Sequence, residues 1–204
     1  MTHNFSSLRT EWRGGCAATS FGRMLVFMRR KLFFWELGGF LFTGALGTLL
    51  HFVYEWSGGS IPAACVSAVN ESAWEHMKLL FVPLFLFSVV QVCLLGRNYP
   101  NLLAVRALGA LTGIALIPVL FYTYTGVLGR SVDWVNITIF FLADLGAFLV
   151  DFALLRRGKL SAGWQQILGL AVLWGLAFCF VWCTFRPVHL PLWRDPVTGM
   201  YGMP

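Results

Sequence analysis

Five stretches of about 20 apolar residues, the length a helix needs to cross the ~30 Å hydrocarbon core, constrain this chain more than anything else in it. They lie at about 32–54, 74–95, 104–126, 134–155 and 164–185. In that medium a segment must satisfy its own backbone groups, so each run reads as a helix. The predicted fold is an all-α polytopic membrane helix bundle of about five transmembrane helices. Composition excludes the alternatives. Hydrophobic residues are 58% and charged residues 12%, about half the ~25% of a soluble domain. That is too little polar surface to coat a cytosolic enzyme, and the apolar content is too high for a disordered tail.

Charge placement sets the expected orientation. The net charge is +6, but the basic residues cluster at Arg9 to Lys31, at Arg97 with Arg106, and at Arg156 to Lys159. These flank apolar runs, where the positive-inside rule puts cytoplasmic anchors. Anionic lipid accounts for them, and no nucleic-acid partner is called for. Lys78, Arg130, Arg186 and Arg194 fall to the other side, giving N-terminus in and C-terminus out. Tyr54, Trp56, Trp74, Tyr124, Trp134, Trp182 and Trp193 form an outer aromatic belt; Trp35, Tyr99 and Trp164 form an inner one. The chain divides accordingly into a cytoplasmic basic segment 1–31, a transmembrane bundle 32–186 and an extracytoplasmic tail 187–204. The first segment lacks a short apolar core and cleavage site, so it is not read as a signal peptide. Residues 1–22 are expected to be poorly ordered, 22–31 to form a short basic surface helix, and Met24 or Met28 is an alternative start.

Small residues mark packing faces. Gly39, Thr43 and Gly47 recur every fourth position, and Gly109 and Gly113 make a GxxxG. Pro83 and Pro118 release the carbonyls of Leu79 and Ile114, which favours kinks and offers freed carbonyls to line a cavity. The five cysteines show no metal spacing; Cys65 and Cys183, both toward the outer side, are one candidate disulfide.

The chemistry concentrates where the first hairpin turns. Its first helix ends in His51-Phe-Val-Tyr54-Glu55-Trp56, and its second opens with Asn70-Glu71-Ser72-Ala-Trp74-Glu75-His76-Met-Lys78. His51 and Glu55 share a face. At 100° per residue Glu71, Glu75 and Lys78 fall within about 60°. Three carboxylates beside one lysine ask for a counter-cation, a shared proton or a substrate amine. His51, Glu55, Glu75 and His76 form a candidate divalent-metal set for Zn²⁺, Mn²⁺ or Fe²⁺, or an acid–base set. The competing reading is structural. Ser72-x-x-Glu75 is a capping box, and Lys78 snorkels to neutralise Glu71. Asp144 lies mid-span, where a charge is costly, and must face the bundle; Asp151 is expected to pair with Arg156 or Arg157. Glu36 and Gln91 are candidate inner companions, and Glu75, Asp144 and Asp151 would trace a proton path. In the tail, His189 or Asp195 would close a lid over the hairpin, or Asp195-Pro196 simply opens an ordered turn.

His51-x-x-Tyr54-Glu55-Trp56-Ser57-Gly58, Val69-Asn70-Glu71-Ser72-x-Trp74-Glu75-His76-x-Lys78 and Pro191-Leu-x-x-Asp195-Pro196-x-Thr198-Gly199-x-Tyr201-Gly202 resemble an uncharacterised domain-of-unknown-function family of small bacterial multi-span membrane proteins. The second motif is the most specific. That family places a proline before the Val-Asn-Glu-Ser stretch, where this chain has Ala68. The resemblance implies an integral protein of the bacterial inner membrane, with hairpin and tail working together, and implies no reaction. The expected binding residues are His51, Glu55, Asn70, Glu71, Glu75, His76, Lys78, Asp144 and Asp195, serving a cation or small molecule in a carrier-like or accessory role. The rivals are a metal-dependent membrane hydrolase of a lipid or envelope substrate and a structural subunit. Topology is testable by reporter fusions: those after Gly96 and Lys159 should read cytoplasmic, and those after Gly129 and in the tail should read external. A cytoplasmic tail would overturn the five-span orientation.

Overall fold

A helix of 23 to 27 residues rises about 35–40 Å, enough to cross the hydrocarbon core with some tilt. The structure, a computed structural model, describes the backbone of residues 6–203 and the side chains of residues 29–203. Its helices are α1 (Ser6–Trp56), α2 (Ile61–Val66), α3 (Ala73–Leu95), α4 (Leu102–Leu128), α5 (Asp133–Arg157) and α6 (Gly163–Phe185), with a 3₁₀ turn at Pro191–Trp193. Five of them, from Arg29–Trp56 onward, are long and apolar enough to cross a membrane. Bounds for the last four agree with the sequence reading to within two residues. The first departs: α1 begins at Ser6, so no separate surface helix interrupts it. Residues 1–5 and the side chains before Arg29 lie outside the described residues. The chain divides inside α1 into two units, Met1–Trp35 and Glu36–Pro204; the core of the bundle and its buried polar side chains belong to the second.

Ends of elements follow local chemistry. Ser72 caps α3 by accepting the Glu75 N–H at 3.4 Å. Gly129 and Gly158 end α4 and α5 in the left-handed conformation, which costs glycine nothing. Arg156 and Arg157 occupy the last turn of α5, where the helix dipole favours cations. One end of the bundle holds the α1–α3 turn, the α4–α5 turn and the tail; we call it the hairpin end.

Packing is inverted relative to a soluble domain. Leu86, Leu94, Val119, Leu149, Trp174 and Phe178 are exposed on the outside, as a lipid-facing surface requires. Phe81, Leu80, Leu84, Ala143, Ala147 and Phe180 form the core. Glu36, Glu75, Lys78, Arg106, Asp144 and Asp151 are buried with them. Small residues bring the helices close, as their spacing predicted. A Cβ on Gly39 would strike the rings of Phe148 and Phe87, and one on Gly47 would stand 2.6 Å from Phe140 and 2.8 Å from the Leu79 carbonyl.

The opposite half is held by one cation. Arg106 binds Glu36 of α1 through Nη2 at 2.7 Å and Asp151 of α5 through Nη1 at 2.5 Å. Gln91 of α3 donates to Glu36 at 3.3 Å. Two expectations from sequence are corrected by this group. Arg106 is not a membrane-face anchor, and Asp151 pairs with it rather than with Arg156 or Arg157; the Arg156 guanidinium lies over the Phe152 ring. The approach is possible because Gly109, one turn along α4, leaves room for the Asp151 carboxylate. Cys65 and Cys183 are both free thiols, so the candidate disulfide is not formed. Arg106→Gln should strip the countercharge from two buried carboxylates and cost about 3–5 kcal/mol. Detergent melting curves check this, and adding Glu36→Gln and Asp151→Asn should recover most of the loss.

Candidate functional site

The last turns of α1 and the entry to α3 face each other at the hairpin end, and three of their side chains converge. His51 Nε2 lies 3.5 Å from Glu71 Oε2, and His76 Nε2 lies 3.6 Å from the same oxygen. One ligand atom from each of the three residues falls within 4.8 Å of the others. The His76 ring is fixed in tautomer. Its Nδ1 stands 2.9 Å from the Ser72 carbonyl, which can only accept, so Nδ1 carries a proton and Nε2 faces Glu71. A backbone partner on the far nitrogen is the usual way a metal-binding histidine is oriented. His51, by hydrogen bonding, holds the Glu71 carboxyl below the ordinary carboxylate range, against the opposing effect of burial.

These groups open onto a cavity of about 740 Å³ between α1, α3, α4 and α5. Its lining is mainly apolar, with Gly47, Leu79 and Phe140 at the level one turn below His51. Ser131, Asp133 and Asn136 add polar groups from the α4–α5 turn, and Pro196 and Val197 of the tail form part of the wall. Tyr124 donates to Asn136 and accepts the Val132 N–H, fixing that turn.

The other expected site residues lie elsewhere. Glu75 and Lys78 form a buried pair at 2.6 Å. The ammonium also donates to the Ala64 carbonyl at 2.9 Å and to Thr184 Oγ1 at 2.8 Å, which satisfies all three of its protons. Glu75 also accepts the Val69 N–H at 3.2 Å. This pair ties α2, α3 and α6 together; Lys78 therefore does not snorkel to Glu71. Half of the expected capping box is present, because Ser72 caps while the Glu75 carboxylate is turned to Lys78. Glu55 is exposed one turn beyond His51, outside the three-residue group. Asn70 joins hairpin to tail: its Oδ1 accepts the Ser72 N–H at 2.9 Å and its amide donates to the Gly202 carbonyl at 2.8 Å. Asp195 is used up within the tail, accepting from the Val197 N–H and the Thr198 hydroxyl, and the His189 ring packs at a tilt against Tyr201. The tail reaches the cavity through Pro196 and Val197, not through His189 or Asp195. Asp144 is buried in mid-span, and among the described residues neither of its oxygens has a hydrogen-bond partner.

Glu71 as the third member of the cluster was not apparent from spacing. The wheel that grouped it with Glu75 and Lys78 assumes one helix, but α3 starts at Ala73 with Ser72 as its cap. Glu71 precedes the helix and turns away, toward α1. The capping serine was the available signal, because it fixes where helical phase begins.

The chain belongs to a family of unknown function, DUF6512, whose model matches residues 27–203. No curated protein and no solved structure matches it.

The two carboxylates should separate in a melting experiment. Glu75→Gln should cost about 3–5 kcal/mol by leaving Lys78 buried without its anion, although glutamine still suits a capping position. Glu71→Gln should act through pH. The Glu71 value is depressed on folding, so its stabilisation is present above the unfolded value near ~4.3 and is lost as pH falls through the folded one. The variant's acid limb of melting temperature against pH should therefore be flatter than the wild type's.

Proposed function

We propose that this multi-pass membrane protein binds a divalent transition-metal cation at its hairpin end, in a carrier-like or accessory role. The observation that carries the reading is the meeting of two imidazole Nε2 atoms on one carboxylate oxygen. With its Nδ1 proton on the Ser72 carbonyl, a neutral His76 ring points its Nε2 lone pair at the Glu71 anion, an arrangement that a cation or a proton between them relieves. Ligands at about 2.0–2.1 Å from a tetrahedral ion stand roughly 3.3–3.4 Å apart, and the two nitrogen–oxygen separations are 3.5 and 3.6 Å. His51, Glu71 and His76 would be the protein ligands, a two-histidine, one-carboxylate set suited to Zn²⁺, Mn²⁺ or Fe²⁺. Glu55 and Glu75, candidates by sequence, are not in this set.

Three protein ligands would leave room for a further ligand beside the cavity that His51, Glu71 and His76 line. That one feature also favours the hydrolytic alternative, because catalytic zinc keeps an open position for water or substrate. The largely apolar cavity would then hold an acyl or envelope substrate. Orientation in this proposal follows basic charge. With Arg106 and Lys78 buried in ion pairs, the remaining Lys and Arg still favour the 96–101 and 158–162 loops and the N-terminal segment over the hairpin end. The hairpin end then faces outward from a bacterial inner membrane.

Calorimetric titration with Zn²⁺ and Mn²⁺ in detergent tests the reading. Wild type should bind, and be stabilised by about 2.7 kcal/mol at a hundredfold excess over Kd. His51→Ala, Glu71→Gln and His76→Ala should each weaken binding strongly, whereas Glu55→Gln should not. Affinity should fall below pH ~6.5 as protons compete for the imidazoles. Absence of binding, or binding indifferent to Glu71→Gln, would overturn the metal site. Metal-dependent cleavage of lipid esters by the loaded protein would favour the hydrolase over the carrier.

A further inference from the structure

The helix register places a second polar pair deeper in the bundle. Against α5, Gly47 meets Phe140 and Gly39 meets Phe148. Against α3, Gly47 meets Leu79 and Gly39 meets Phe87. Thr43 is midway on α1 in both series, so it falls level with Asp144 on α5 and with Pro83 on α3. The next residue, Gly44, confirms the level, since a Cβ there would lie 3.6 Å from Asp144 Oδ2.

Thr43 is unusual among the hydroxyls of the spans. Thr48, Ser88, Thr112, Thr125, Thr138 and Thr184 all donate to the carbonyl four residues before them. Thr43 Oγ1 is fully buried and, among the described residues, has no hydrogen-bond partner of any kind, Asp144 included. Two unsatisfied polar side chains thus share one level of the membrane. Among the described residues no cation is at hand to neutralise Asp144. On α1 the nearest ionisable groups are Glu36 and His51, about two turns to either side. Lys78 of α3 is committed to Glu75, and Arg106 of α4 to Glu36 and Asp151. An ionised carboxylate left alone in hydrocarbon is costly; a carboxyl that has taken up a proton is not, and its second oxygen can accept from a hydroxyl.

The hairpin-end cavity approaches this level from one side, without Asp144 or Thr43 in its wall. Gly47, Leu79 and Phe140, one turn from Asp144, line the cavity. There the Leu79 carbonyl, which Pro83 leaves without its helical donor, lies against Gly47. On the other side the Phe148 and Phe87 rings close over Gly39, backed by the Arg106 guanidinium 5.0 Å from Phe148 and 5.9 Å from Phe87.

We infer that Asp144 and Thr43 form an intramembrane proton-binding site that loads and unloads through the hairpin-end cavity. A proton from cavity water bonds to one Asp144 oxygen, and the Thr43 hydroxyl, unbonded in the structure, turns to donate to the other. The reverse step returns the proton to water, and nothing is oxidised or reduced. This site stands whether or not the histidine cluster holds a metal, and its test contains none.

Infrared spectra of the purified protein in lipid nanodiscs read it directly. Wild type should show a protonated-carboxyl stretch that Asp144→Asn removes and Asp144→Glu retains in shifted form. Thr43→Val should move that band to higher frequency by deleting its hydrogen bond. On transfer to D₂O the band should exchange, several-fold more slowly in Thr48→Trp, which fills the cavity, and at the wild-type rate in Gln91→Leu at the far side. The absence of an Asp144-dependent carboxyl band at every pH where the protein stays folded would overturn the site. Exchange that ignores Thr48→Trp but responds to Gln91→Leu would overturn the route.

Discussion

One guanidinium organises the half of the bundle away from the hairpin. Lipid offers no water to a stray charge, so Arg106 can lie in the interior only if anions from other helices come to it, and Glu36 and Asp151 do. The three together fix α1, α4 and α5 in depth and rotation at once. Apolar contacts cannot do this in a bilayer, where sliding one leucine past another changes little. Buried pairs of this kind add little net stability but penalise wrong registers heavily. With α1 fixed at Glu36, the positions of Thr43, Gly47 and His51 relative to α3 and α5 follow from helix geometry.

The spans were legible because hydropathy alone decides them, and the small-residue stripes were legible because close packing needs them. Partner choice was not. Asp151 sits one turn from Arg156 and Arg157, yet its cation is 45 residues away on another helix. Periodicity gives the face on which a charge lies, and only the rotation of neighbouring helices says what faces it. The hairpin residues show the same limit. His51 and His76 were recognised from their place at facing helix ends, whereas Glu75 was assigned to their cluster and Glu71 to Lys78. The structure exchanges these roles because helical phase starts only after the Ser72 cap. Asp195, expected as part of a lid, satisfies its own turn, a use its Asp-Pro context had also offered.

Polar groups in this bundle therefore fall into two kinds. The Glu75–Lys78–Thr184 group is saturated and the Glu36–Arg106–Asp151 group is ion-paired, with Arg106 Nε and Asp151 Oδ1 left without a partner among the described residues, and both groups join helices. His51, Glu71 and His76 at the cavity rim, and Thr43 with Asp144 below it, are left with bonding capacity unspent on the fold. That residual capacity is what the proposed cation and proton sites draw on.

The bond between the Asn70 amide and the Gly202 carbonyl spans 132 residues, and it has a consequence in time. The first hairpin can insert as soon as α3 is made, but its turn has no tail to close against until the ribosome has added everything through residue 202. At ~5–20 residues per second that interval, counted from the end of α3 at Leu95, is roughly 5–21 s. During synthesis the rim of the cavity is therefore open to the surrounding phase, and the cavity acquires its final wall only as translation of the tail is completed. The order of the chain thus keeps the hairpin end from closing until the tail has been made.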